Sequence, residues 1–366
     1  MILNSELYQL AFRCLIADKQ SDATEEIKNK VFGKEETLFR FIHLCSNHLV
    51  LPAVYIRLKK AGLTEFLPID FNEHLNDIYA LNVQRNKEIL QQIDEINNQL
   101  HTENIEPVFL KGTANLLDDL YADTGDRMIG DIDFLVQDKD FLKTTDLIQK
   151  LGYKTDEKIY DDIKSLKDFP RLYRNDVPAD IEIHRLPVIP KYSKVFNPEV
   201  IFKEKKQIPG KIKCFVPSDK HKLIHTFIHS QLSNKGYKLK MAPLRDLYDS
   251  FLLSQRLNME EVLVEIEEKQ KAKIYFDFVS ILSTGQSKFE NLNSKSREHF
   301  NQHNWFLDHP KLQHLYFKFH QVEHVVVNRV FKAFFSKTVF KNLFVRISDP
   351  EWWKKRFLTG LKEHLK

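Results

Sequence analysis

Apolar side chains change their spacing twice along this chain, and that change limits the possible folds more than any single motif. Up to about residue 100 they recur at helical intervals. Across residues 87–100 they stand at Ile89, Leu90, Ile93, Ile96 and Leu100, with Glu88, Gln91, Gln92 and Asn97 among the polar positions between them. That spacing predicts an amphipathic helix. Residues 36–63 form a second helical stretch, broken near Pro52. The pattern then shortens. Residues 106–110 and 129–136 are compact apolar runs that suit buried strands, and residues 153–186 read as further strands, alternating over 179–184 with Ile181 and Ile183 against Asp180, Glu182 and His184. Between them residues 113–121 and 141–151 read as helices, the second closed by Gly152 as a C-cap. One more strand is expected in residues 211–216. Helices return after Ser218, a candidate N-cap, and continue through 243–256 and 259–282.

The order is therefore helices, a mixed βαβ-with-hairpin core, then helices, which predicts an α+β chain. The expected regions are an N-terminal helical region (1–100), a core (101–217), a helical domain packing on the core (218–290) and a basic, aromatic, helical C-terminal region (291–366). Residues 291–304 are polar enough to read as a linker. The 366 residues include 42% apolar residues and 28 phenylalanines, enough for a substantial core, and only 10 glycines, which favours long helices over tight turns. A net charge of +4 does not announce a nucleic-acid binder. Residues 311–366 are more basic, with 12 Lys/Arg against 4 Asp/Glu. Cys14, Cys45 and Cys214 are scattered and form no CxxC, so neither a disulfide framework nor a cysteine-rich zinc site is expected. No signal peptide is read, and the longest apolar stretches, such as 49–56, fall short of the roughly 20 residues a spanning helix needs. These features predict a soluble, cytoplasmic protein.

Asp131-Ile132-Asp133 lies in a strand-like run, so both carboxylates project to one face. Like charges held that close repel unless a cation lies between them, and a hard divalent ion removes the conflict. Alone, such a pair is more often a solvated strand edge or a calcium-like accident. Gly112-Thr113 follows a strand and opens a helix, where backbone amides and the threonine hydroxyl can meet phosphate oxygens, with Lys111 adjacent. It is also an ordinary strand-to-helix turn. Glu182 and His184 share one face of the alternating strand, and Glu182 could complete a metal site or take a proton from an attacking hydroxyl. By itself it is a solvent-facing strand position.

Together, Val108-Phe109-Leu110-Lys111-Gly112-Thr113, then Arg127 with Gly130-Asp131-Ile132-Asp133-Phe134-Leu135-Val136, then Ile181-Glu182-Ile183-His184 form an ordered pattern. It resembles the nucleotidyltransferase superfamily with the polymerase-beta-like fold, and within it most the bacterial family of uncharacterised nucleotidyltransferases. The likeness spans roughly residues 80–255. It implies that Asp131 and Asp133 hold Mg2+ (or Mn2+) on the triphosphate of an NTP such as ATP. Gly112 and Thr113 would cradle the distal phosphates, aided by Lys111 and Arg127. Glu182 would bind a second metal ion and help deprotonate a hydroxyl acceptor, and pyrophosphate would leave. The wider superfamily carries Gly-Gly or Gly-Ser where this chain has Gly-Thr. The other reading is a catalytically weak NTP-binding regulatory or scaffold module; a toxin-like enzyme acting on tRNA or protein is a third. The acceptor (small molecule, sugar, RNA or protein), the base and the oligomeric state are not legible.

Other residues keep two meanings. Arg127 serves phosphate or neutralises Asp126 or Asp123. His184, Lys240 and Arg245 are candidates for an acceptor pocket, the last two within a basic face with Lys235 and Lys238. His221, His225 and His229 recur every fourth residue, and packing against the core is favoured over a metal site. In the tail, Phe331, Phe335, Phe340 and Trp352 interleave with Lys332, Lys337 and Arg346; core or partner contact is favoured over nucleic acid.

Overall fold

A computed structural model of the chain describes residues 2–17, 22–157, 166–211, 214–284 and 292–325. Of the described residues, those up to Asn304 make one compact unit, and residues 305–325 belong to a second.

Helices precede the sheet. They are α1 (Asn4–Ile16), α2 (Asp22–Ile27), α3 (Glu35–Asn47), α4 (Leu51–Lys60) and the long α5 (Ile69–His101). The break expected near Pro52 falls just before it: Pro52 sits in the first turn of α4, where its missing N–H costs no helical bond. On α5, Ile89, Ile93, Ile96 and Leu100 are buried as the spacing predicts, but so are Gln92 and Asn97. The polar positions of that helix are therefore not simply its wet face.

The sheet has five short strands: β1 (Val108–Phe109), β2 (Ile132–Leu135), β3 (Ile181–His184), β4 (Lys206–Gln207) and β5 (Phe215–Val216), in the order β3-β2-β1-β5-β4. β2 runs antiparallel to β1 and parallel to β3, while β5 is parallel to β1 and antiparallel to β4. The chain is thus α+β with a mixed sheet. Ile132, Phe134, Ile181 and Ile183 are fully buried, and Phe109 packs its ring 5.8 Å from that of Phe134. The parallel β2–β3 register pairs Asp133 with Glu182 and Leu135 with His184.

Between the strands come α6 (Lys111–Leu117) and α7 (Phe141–Lys150); Gly152, at φ 92°, follows α7 as the expected left-handed stop. α6 ends four residues before Tyr121, where the helical pattern had been read to continue. After α8 (Pro198–Lys203), Ser218 accepts a bond from the His221 amide and opens α9 (Asp219–Phe227). The stretch 259–282, read as one helix, is two: α12 (Met259–Val264) and α13 (Lys269–Thr284), preceded by α10 (Gly236–Leu239) and α11 (Leu244–Ser254).

Residues 291–304 are no linker over their described part. α14 (Ser294–Asp308) starts behind Asn293, whose side chain accepts from the Ser296 amide at 3.0 Å. Ser296, Phe300 and His303 turn inward at helical spacing, with Phe300 5.2 Å from Phe278 of α13. The polar residues that suggested a linker are its outer face. In the second unit, α15 (Pro310–Val325) begins at a proline. The tail residues from Phe331 to Trp352 lie outside the described residues. No helix among the described residues is long and apolar enough to cross a membrane.

Candidate active site

The acidic cluster is assembled by the pairing of two strands. Because β2 and β3 are parallel and in register at Asp133 and Glu182, the two carboxylates stand side by side on one face. His184, two residues on, presents its ring to the same point: its Nε2 lies 2.8 Å from Asp133 Oδ1 and 3.6 Å from Glu182 Oε2. A carboxylate can only accept, so Nε2 carries the proton and donates. The Nδ1 is buried, without a hydrogen-bond partner, 3.7 Å from Asp168 Oδ2. Asp131 sits one residue before β2, half-buried, on the rim of the cluster.

Two cations hold these acids together. Lys111 Nζ contacts Asp133 Oδ1 at 2.6 Å and Glu182 Oε2 at 3.5 Å. Its backbone is left-handed, φ 53°, a strained conformation for a side chain of that size and one that concentrates at working sites. On the outer side, Arg171 Nη2 lies 3.0 Å from Asp131 Oδ2 and 2.9 Å from Glu182 Oε1. Arg171 was not anticipated. It lies on a segment that runs beside β3 through single bridges, Asp168 to His184 and Leu172 to Ile181, rather than in a recognisable strand.

The electrostatics follow this packing. Asp133 is buried, which alone would raise its pKa, but the Lys111 ammonium and the His184 hydrogen bond outweigh burial and lower it. Glu182 is held well below the usual carboxylate range, chiefly by His184 and then, against its burial, by Lys111. Asp131 goes the other way. Burial, reinforced by Glu182 and Asp133, raises it to about 6 in spite of Arg171.

The turn after β1 serves the cluster from behind. Thr113, 1% exposed, donates its hydroxyl to the Asp131 carbonyl at 3.1 Å, so it fixes the backbone of the first aspartate. A Cβ at Gly112 would stand 3.1 Å from Ile129 Cδ1 and 3.4 Å from Arg127 Nη2, so a larger residue would push those side chains back by a few tenths of an ångström. Arg127 is 6% exposed, and its guanidinium grips both oxygens of Asp249 at 3.1 to 3.2 Å and donates to the Met128 carbonyl. Neither Asp126 nor Asp123 is its partner; Asp126 instead binds Arg57. Arg127 is thereby committed inside the fold.

Of the remaining candidates, Lys240 Nζ rests 3.0 Å from His299 Nδ1, and Arg245 Nε reaches its neighbour Asp246 at 3.4 Å. His221 and His225 pack around Phe196, with ring centroids 5.8 and 5.6 Å away. His229 follows 6.3 Å from His225, with burial and the Lys111 charge lowering its pKa to about 4. The row is packing, and its far end looks toward the cluster. A surface groove of about 700 Å³ is lined by Tyr79, Val83, Lys87, Asp119, Tyr121 and Thr124, among others, and takes in none of Asp131, Asp133 and Glu182.

Long helix α5 supplies what the motifs do not show. Asn82 donates to the Gly125 carbonyl, and Asn86 to those of Thr124 and Arg127 at 2.6 and 2.7 Å. Arg85 donates to Ile129, Gly130 and Pro178, and Gln92 binds both backbone groups of Ala179. The chain leading into Asp131 and the chain leading into Ile181 are thus clamped by one helix face.

Asp133, Glu182 and His184 each offer a ligand atom, and these atoms all lie within 4.8 Å of one another. Two carboxylates and an imidazole fit a divalent cation. The model of a family described as uncharacterised nucleotidyltransferases matches residues 35–281. A search of curated proteins finds no match to the chain.

Proposed function

The chain belongs to that nucleotidyltransferase family, and from this premise we propose that it moves an NMP group from an NTP to a hydroxyl acceptor at the Asp131–Asp133–Glu182 cluster. On this reading the strand–turn–helix of β1 and α6, the aspartate strand and the acidic strand are a polymerase-beta-like core. The observation that carries it is the β2–β3 register, which sets Asp133 and Glu182 side by side with His184 on one face.

Asp131, Asp133 and Glu182 would hold a divalent cation, and His184 orients Asp133 by its hydrogen bond. Such a cation would supply Lewis-acid stabilisation of the negative charge that develops during phosphoryl transfer. Lys111 stays beside Asp133 and Glu182 as a fixed positive charge, while Thr113 holds the Asp131 backbone in place from behind. The acceptor oxygen attacks the α-phosphorus, the new P–O bond forms as the α–β bridging P–O bond breaks, and pyrophosphate leaves. The acceptor proton passes to a carboxylate of the cluster, the part we assign to Glu182.

The test is incubation of the full chain with each labelled NTP, Mg2+ or Mn2+ and a cell extract, followed by separation of the labelled species. Wild type is expected to label an acceptor and release pyrophosphate. Asp131→Ala should abolish both while the circular dichroism spectrum stays unchanged. Transfer that survives in Asp131→Ala removes the assignment. Cation-dependent NTP binding without pyrophosphate release would instead favour a regulatory NTP-binding module.

A further inference from the structure

We propose that Arg171 is a triphosphate-binding residue held in reserve: it neutralises Asp131 and Glu182 until a divalent cation takes those carboxylates, and it then turns to phosphate. The inference rests on the reading above that these carboxylates hold the cation.

The two positive side chains of the cluster differ in freedom. Lys111 lies on the inner side, its side chain 21% exposed, between Asp133 and Glu182. Arg171 lies on the outer side, 45% exposed, and one nitrogen, Nη2, serves both Asp131 and Glu182. Its backbone is pinned on each side. Leu172 exchanges both ladder bonds with Ile181 at 2.7 and 3.0 Å, and Phe169 donates to the Ile183 carbonyl at 2.9 Å. The arm can therefore swing while its base stays fixed.

A guanidinium and a divalent cation that use the same carboxylate oxygens oppose each other, and the opposition is reciprocal. The exposed ion pair is weak in water, so a divalent ion displaces it readily. The freed guanidinium then stands at the rim beside the polyphosphate, and its planar fork of donors matches phosphate oxygens. Arg171 would thus lower affinity for the bare cation and raise it for the polyphosphate complex, which favours arrival of the two together.

The probes are Mn2+ alone and inorganic tripolyphosphate at saturating Mn2+, which avoids any assumption about the base. Binding to the full chain is measured by electron paramagnetic resonance of free Mn2+ and by calorimetry. Arg171→Ala should bind Mn2+ about tenfold more tightly and tripolyphosphate about tenfold more weakly. Arg171→Lys should restore the competition with Mn2+ and recover only part of the polyphosphate affinity. A residue that merely props the fold would shift both affinities the same way. Both weakened in Arg171→Ala, or neither moved, overturns the proposal. A wild-type chain that binds no Mn2+ overturns the cation site itself, and the exchange falls with it.

Discussion

Arg127 and Asp249 stand 122 positions apart and form one buried contact, joined by the Tyr121 hydroxyl, which donates to Asp249 at 2.8 Å. Asp249 is 3% exposed, so its charge is tolerable only with this partner. Arg127→Met should therefore cost about 3–5 kcal/mol, the range for stranding a buried charge. Adding Asp249→Asn should recover part of that loss, because the amide oxygen still accepts from Tyr121 and no charge is left alone. Denaturant unfolding of the two variants checks this; a double variant no more stable than the single one would show that packing around the guanidinium, not charge, sets the cost. The pair also explains a limit of reading residues one at a time. Arg127 lies near Asp123 and Asp126 in sequence, but α11 brings it a better partner from far away. Nothing local to residue 127 could have announced that. Arg171 escaped notice for a related reason: it lies in the stretch read as strands, where the described residues form only single bridges, and it carries no motif of its own. Asp131, Asp133, Glu182 and His184, by contrast, were visible because strand periodicity alone places their side chains.

At the scale of elements, α5 is the part that positions the site. Asn86 is fully buried and satisfies the carbonyls of Thr124 and Arg127, two groups in a segment with no ladder of its own. Asn86→Ala should cost about 1–3 kcal/mol by leaving the Thr124 carbonyl unpaired and the Arg127 carbonyl with the longer bond from Asn82 at 3.3 Å. Because the same segment leads into Asp131, nucleotidyl transfer should fall by more than the loss of folded protein. Lys87→Ala, on the exposed face of the same turn, should change stability by less than about 0.5 kcal/mol. Equal effects from the two substitutions would remove the clamp from the account. Helical spacing made α5 easy to find, yet the same spacing assigned Gln92 and Asn97 to water. Periodicity distinguishes apolar from polar positions, but it cannot tell a polar group that meets solvent from one that meets a backbone carbonyl. The sheet shows the same division. Each central strand was readable from its apolar run. That β2 and β3 are parallel neighbours in register at Asp133 and Glu182 depends on long-range pairing that no single strand encodes. Helix α14 was hidden by its own polarity, since only Ser296, Phe300 and His303 mark its inner face.

Across the first compact unit, N-terminal helix α1 is tied to residues more than two hundred positions later by a group of aromatic and histidine rings. Tyr8 donates to the Ala242 carbonyl at 2.5 Å, and its ring lies 5.2 Å from that of His48 and 5.0 Å from that of His303. Both histidines are used in their neutral form. His48 Nδ1 accepts from the Leu244 amide at 3.2 Å, while His303 Nδ1 donates to the Lys240 carbonyl at 2.8 Å and buries its other nitrogen without a partner. Burial lowers each to about 4, helped at His48 by the neighbouring His303. In the unfolded chain they titrate near 6.5. Above that value both states are neutral and the rings contribute nothing to pH dependence. As pH falls from about 6.5 toward 4, the unfolded state takes up protons that the folded state refuses, so stability is lost. The loss should reach about 1–2 kcal/mol for each ring by pH 5. Asp131 opposes it, since a carboxyl raised to about 6 favours the folded state as it protonates. That offset is smaller, because one half-buried group stands against two enclosed rings. Urea unfolding of the full chain at pH 7 and pH 5 should show the midpoint falling on acidification. With His303→Gln, which keeps a hydrogen-bonding side chain but cannot take up a proton, the fall should shrink by the share of one ring only, because His48, His221, His225, His229 and His299 are also lowered by burial. An unchanged fall in that variant would place the acid sensitivity elsewhere, and the ring group would then be a packing contact without a role in how the molecule responds to pH.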